Sequence, residues 1–262
     1  MPAMSSPSSR FFRMTLVALA LVMALAACGE DTQDTQAAQD TQATEATEAK
    51  PLEFYNTKGE QLLKADDPQD ALKVMTEAVR FYPNDAMAHK NLGRAYEALG
   101  DYDKALDEFN RTIEIDPNMA MAYNNRAVVY DDMGRKDDAM TEYDKALELD
   151  PNLVIAMQGK SALLSEMGRT EEGLSLIDKA IELDPNDATS HYNKGTDLNH
   201  AGRYEEALPE LDKAIKLKPD MFEAYVNKGN SLFNLGRQDE AAACLREAHE
   251  IEPGFEPPDW AK

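Results

Sequence analysis

Six prolines, Pro83, Pro117, Pro151, Pro185, Pro219 and Pro253, stand 34 residues apart without exception. Self-similarity at a fixed period of this size means that one supersecondary unit is repeated and stacked, which removes most fold classes from consideration. Counting back from each proline divides the chain into units 52–85, 86–119, 120–153, 154–187, 188–221 and 222–255. Within a unit, numbered from its first residue, place eight is small (Gly59, Gly93, Ala127, Ser161, Gly195, Gly229) and place twenty is alanine except for Gly173. Place twenty-seven is small as well, whereas place twenty-four is large: Met75, Phe109, Tyr143, Ile177, Leu211, Leu245. Small residues at eight and twenty allow two helices of one unit to approach closely, and the large one fills the space beside them. Gly100, Gly134, Gly168, Gly202 and Gly236 at place fifteen suit a chain leaving a helix in the left-handed conformation. The first unit has Asp66-Asp67-Pro68 instead, a helix cap followed by proline in the first turn. The expectation is an all-α chain of six helix–turn–helix units.

This pattern resembles the tetratricopeptide repeat (TPR) family, with its aromatic at four, small residues at eight, twenty and twenty-seven, and proline at thirty-two. The resemblance implies a right-handed superhelical solenoid with a concave groove, stabilised by unit and interface terms. Place four is Tyr55, Tyr123 and Tyr225, but His89, Met157 and His191 elsewhere. The fourth unit, with Met157, Ser161 and Gly173, departs furthest and is expected to be the softest.

Ahead of the repeats, Arg10 and Arg13 precede an apolar run from Met14 to Ala27 that ends in Leu25-Ala26-Ala27-Cys28. A membrane-spanning helix needs about 20 apolar residues, and this run is shorter. It reads as a signal peptide, 1–27, with small residues before the cleavage point. The last four residues resemble the bacterial lipobox, which implies lipidation of Cys28 and palmitate-type acylation of the mature amino terminus. Because Gly29 rather than Asp follows, the resemblance favours an outer-membrane anchor facing the periplasm. Residues 28–51 form an acidic Thr/Gln-rich tether with too little apolar area to order itself. The whole chain has 27 Lys+Arg against 49 Asp+Glu, a net charge of −22, which argues against a nucleic-acid partner and against electrostatic adhesion to anionic lipid.

In TPR proteins the first helix of each unit lines the groove through places two, five, nine, twelve and thirteen. Those places here hold seven acids and three bases, so the groove is amide-rich and apolar rather than strongly charged. Side-chain amides donate to and accept from a peptide backbone, and the groove is expected to bind a protein or peptide segment through Lys90, Arg94, Asn124, Asn125, Gln158, Tyr192, Asn199 and Asn230. Lys90 and Arg94, one turn apart, form its basic spot and attract an acid, unless Asp131 and Asp132 pair with them. Lys90, Arg94 and Asn125 overlap the carboxylate clamp of some TPR co-chaperones, but Ile155 and Gly159 stand where that clamp has bases. A second basic column, Lys58, Arg126, Lys160, Lys194 and Lys228 at place seven, reads as aliphatic stems lying on the neighbouring unit. Asn91, Asn125, Asn193 and Asn227 at place six read as an inter-helix hydrogen-bonding device.

No phosphate loop, zinc-protease or nucleophile-elbow motif occurs, the four histidines fall on separate sites, and Cys244 has no partner. Neither cofactor, metal nor enzymatic activity is expected. Only residues 256–262 follow the sixth unit, so either Phe255 or Trp260 folds back over the last apolar face or that end is bare. The functional expectation is a membrane-anchored scaffold for cell-envelope assembly. The alternative is a structural lipoprotein that self-associates, as a homodimer, through an uncapped C-terminal end.

Overall fold

The structure, a computed structural model, describes residues 49–261. Twelve α-helices alternate with short turns: α1 Leu52–Lys64, α2 Pro68–Phe81, α3 Ala86–Ala98, α4 Tyr102–Ile115, α5 Ala120–Asp132, α6 Lys136–Leu149, α7 Val154–Glu166, α8 Thr170–Leu183, α9 Ala188–His200, α10 Tyr204–Leu217, α11 Phe222–Asn234 and α12 Gln238–Ile251. Every odd helix opens a 34-residue unit and every even helix closes it, and there is no strand among the described residues. Each helix packs on the one before and the one after. Successive odd helices also touch one another, whereas successive even helices do not. The odd helices therefore line the inner side of the curve and the even helices splay outward, giving an all-α TPR solenoid.

The recurring residues act at close range. A β-carbon at Gly93 meets the Phe109 ring at 2.6 Å, and one at Gly195 meets Leu211 at 2.6 Å, so place eight is small because place twenty-four lies on it. Gly100, Gly134, Gly168, Gly202 and Gly236 have φ between +71° and +76°. After each, a backbone N–H reaches back five residues, as from Asp101 to the Tyr96 carbonyl at 2.9 Å. Asp66 takes the same conformation at φ +57°, making it the non-glycine counterpart of those glycines. Asp67 then caps α2 by accepting from the Asp70 N–H. Before three of the prolines, Asp116, Asp150 and Asp184 each accept from the N–H two residues on at 3.0 Å, which fixes the turn out of the even helix.

In the fourth unit the departures from the pattern fit one another: Ser161 donates to the Gly173 carbonyl at 2.8 Å, and a β-carbon at Gly173 would lie 2.9 Å from the Ser161 carbonyl oxygen. The serine at place eight and the glycine at place twenty are one compensated change. At the C-terminal end the tail folds back, the first of the two alternatives that the sequence left open. Residues Asp259–Ala261 form a short 3₁₀ turn on α12, with Trp260 stacked on Phe233 at 4.6 Å and Phe255 beside Phe222. Arg246 donates to the Ala261 carbonyl at 3.2 Å, and His249 Nδ1 lies 2.6 Å from that of Phe255. A short tail thus takes over the covering that a further helix would provide. The stacked pair still faces solvent, with Phe233 42% and Trp260 45% exposed. The signal segment, Cys28 and the tether to residue 48 lie outside the described residues.

Candidate peptide-binding groove

Side chains on the inner face divide into those used to join units and those left over. Gln158 donates both amide hydrogens across a joint, to Asp187 at 2.5 Å and Ser190 at 2.8 Å. Asn199 donates to the Asn227 carbonyl at 3.1 Å and accepts from Ser231 at 2.6 Å. Tyr192 packs into the apolar clusters on both sides of its unit. Asn230 is exposed at the far end of the row. Four of the eight expected ligand contacts are therefore occupied internally or remote from the basic spot.

Lys90, Arg94, Asn124 and Asn125 are different. Lys90 is only 8% exposed, yet neither a hydrogen bond nor an ion pair reaches its ammonium among the described residues. Burial, and then the neighbouring Arg94, hold its pKa below the ordinary lysine value, with Glu60 opposing. Asp131 and Asp132 do not pair with either base. Instead, burial and Glu166 push the Asp131 carboxyl up, and Lys136 bonds Glu166 at 2.7 Å. In the next unit Asn124 donates to Asn125 Oδ1 at 3.3 Å, which leaves Asn125 Nδ2 and Asn124 Oδ1 buried without partners. Two donors, the Lys90 ammonium and Asn125 Nδ2, and one acceptor, Asn124 Oδ1, are thus left without partners on α3 and α5 among the described residues. Burial of this kind normally demands a counter-group.

One participant was not singled out from the sequence. Glu97, one turn beyond Arg94, is pushed up to about 7, chiefly by burial and further by Asp132, with Arg94 opposing. The signal was present in the columns, since acids at places twelve and thirteen of consecutive units crowd together on the inner face.

The other columns are joints. Arg126 clasps both oxygens of Glu142 at 2.7 Å and reaches Asn110 of the preceding unit at 2.7 Å. Lys160 reaches Asp144, Lys194 reaches Asp178 at 2.9 Å and Glu210 at 2.8 Å, and Lys228 reaches Asp212 at 2.6 Å. From the third unit onward the place-seven heads are thus paired across units, not merely solvated. At place six, Asn91 donates to Asn56 at 2.9 Å and Asn227 to Thr196 at 2.8 Å, as an inter-helix device requires, whereas Asn125 and Asn193 make no such bond among the described residues. His89 sets Nδ1 2.6 Å from Glu108 and Nε2 3.0 Å from the Pro83 carbonyl, and His191 repeats this with Glu210 and Pro185. Tyr123 donates to the Pro117 carbonyl in the equivalent place. No cluster suited to a metal occurs among the described residues. Burial raises the Cys244 thiol above its ordinary pKa, which disfavours the thiolate.

With this geometry in view, the tetratricopeptide repeat models match residues 56–120, 160–219 and 196–254, with a further single-repeat match at 120–153. These spans cover more than half of the chain, and the chain belongs to the tetratricopeptide repeat family, a family of protein-interaction scaffolds. No curated protein matches it. Among solved structures it resembles PilW, described as a widely conserved type IV pilus biogenesis factor, with a TM-score of 0.68 and 18% identity over 80% of this chain and 97% of that one. A tetratricopeptide repeat protein from Parabacteroides merdae gives 0.66 and 19% over 83% and 85%. PilF of Pseudomonas aeruginosa gives 0.63 and 17% over 81% and 94%. At these identities the likeness concerns the fold.

Proposed function

We propose that this chain is a lipid-anchored scaffold of the bacterial cell envelope. It holds a segment of another protein against the inner face of the solenoid and seats a carboxylate of that segment on Lys90, Arg94 and Asn125. The observation that carries the reading is Lys90, a lysine whose side chain is mostly buried and whose ammonium has no protein partner among the described residues. A cation largely removed from water is costly to leave unpaired, and an anionic group from a ligand offsets that cost. Asn125 Nδ2 adds a donor on the facing helix, and Asn124 Oδ1 adds an acceptor suited to a backbone N–H. Met87 and Ile155, large and exposed at place two, receive apolar side chains on either side.

The membrane part of the reading rests on the signal segment and on Leu25-Ala26-Ala27-Cys28. Multiple acyl chains on Cys28 would hold the protein at the outer membrane, facing the periplasm, with the acidic tether giving it reach. No helix among the described residues is long and apolar enough to cross a membrane.

The test is a photo-crosslinking residue at Ile155 in cells, with and without Lys90→Glu and Arg94→Glu. The adduct with a partner segment is expected to fall at least tenfold in the double variant while the thermal melt is unchanged. An undiminished adduct would remove the basic spot from the binding site. Separately, Cys28→Ala is expected to abolish incorporation of labelled palmitate and to release the protein from the membrane fraction. Persistent labelling refutes the anchor.

A further inference from the structure

A second surface, distinct from the groove residues just described, is the outer side of α1. In every later unit that side of the first helix packs on the preceding even helix, and place three there is Ala88, Ala122, Ala156, Ser190 or Ala224, each with zero exposure. At the internal joints this place is thus filled by a methyl or hydroxymethyl group. In the first unit the same place is Phe54, 43% exposed. Its ring borders a shallow cleft of about 380 Å³ formed by Pro51, Glu53, Thr57, Lys58 and Gln61. Lys50 Nζ sits 4.3 Å above the ring centre.

One turn on from Phe54 stands Lys58, the first member of the place-seven column. Arg126, Lys160, Lys194 and Lys228 each reach a residue at place twenty-five of the preceding unit: Asn110, Asp144, Asp178 and Asp212. Lys58 has the same placement and no ion pair or hydrogen bond among the described residues. The internal joints therefore serve as a template for what this face would accept, with Phe54 as the one departure.

We propose that the outer face of α1 docks an amphipathic helix of another protein, one with small side chains opposite Phe54 and a carboxylate opposite Lys58. A second copy stacked end to end is ruled out by the same template. Place twenty-five of the sixth unit is Arg246, a like charge to Lys58, and the tail lies over that end with Ala261 bonded to it. Two cations flanking an exposed ring, Lys50 and Lys58, select an acidic helix over a basic one.

The test places a photo-crosslinking residue at Gln61 of the full chain in the cells that make it and identifies the joined peptide by mass spectrometry. The expected product is a helix of a different polypeptide with Asp or Glu within one turn of the crosslink. Lys58→Glu and, separately, Phe54→Ala should each lower the yield at least fivefold with the circular-dichroism melt unchanged. Changing the partner's acid to Lys should restore the yield in the Lys58→Glu background. A crosslink to a second copy, to residues 1–48 of the same chain or to lipid overturns the proposal, and so does the absence of any adduct. Charge reversal at Lys90 and Arg94 leaves this yield unaltered, which separates failure here from failure of the groove reading.

Discussion

A β-carbon built on Gly159 meets the Tyr143 hydroxyl at 2.4 Å. The same place holds Asn91, Asn125, Asn193 and Asn227 in the units that follow Met75, Phe109, Ile177 and Leu211. The missing asparagine is thus explained by the tyrosine before it, a pairing across 16 residues that the column pattern displays but does not interpret. Gly159→Asn is expected to cost about 2 kcal/mol through overpacking. Tyr143→Leu in the same background should recover part of that loss, with a coupling energy of at least about 1 kcal/mol in a double-mutant cycle. Additive effects would show that the two residues are independent. Glu97 carries a second prediction. Its folded pKa lies above the ordinary carboxylate value, so its contribution to stability is present at acid pH and lost as the pH rises through about 7. Glu97→Gln should therefore be more stable than the parent at pH 8, by about 1 kcal/mol or more, and the difference should vanish near pH 4. Equal melts at pH 8 would show that the carboxylate is well solvated.

Turns between helices were legible because their chemistry is local. A glycine with positive φ, an aspartate cap and an aspartate before proline each act within a few residues, and all were marked by composition alone. Asp66 is the informative exception, since an L-residue other than glycine holds the left-handed conformation there. Asp66→Gly is expected to stabilise α1 and α2 by up to about 1 kcal/mol, whereas Gly134→Ala should cost about 1–2 kcal/mol. Chemical denaturation of the two variants measures both signs. The groove was less legible for the opposite reason. Gln158 and Asn199 lie at ligand-facing places by count, yet their partners are 28 to 32 residues away in the next unit. Column position tells which side of a helix a residue occupies, and only the packing of neighbouring units tells whether its hydrogen bonds are already used. Lys90 stood out because a cation beside a second cation has no partner one turn away in its own helix.

In a solenoid each unit touches only its neighbours, so end units lack one stabilising interface. The tail offsets this at the C-terminal end with one aromatic stack, two bonded carbonyl groups and the buried Ala261. Removal of residues 256–262 is expected to lower the melting temperature and to produce concentration-dependent association in light scattering. The full chain with Cys28 replaced should remain monomeric in the same measurement. A truncated form that stays monomeric and equally stable would make the tail a passive appendage. That short segment was the least predictable part of the fold, because prolines and a single tryptophan carry no periodicity from which to infer where they settle.

Phenylalanine at one extremity and a folded-back peptide at the other have a consequence for how such a molecule changes its length. For either extremity to receive another module of the same kind, the ring of Phe54 or the folded-back tail would have to give way, whereas insertion between modules already in contact meets an alanine and an opposing acid already in place.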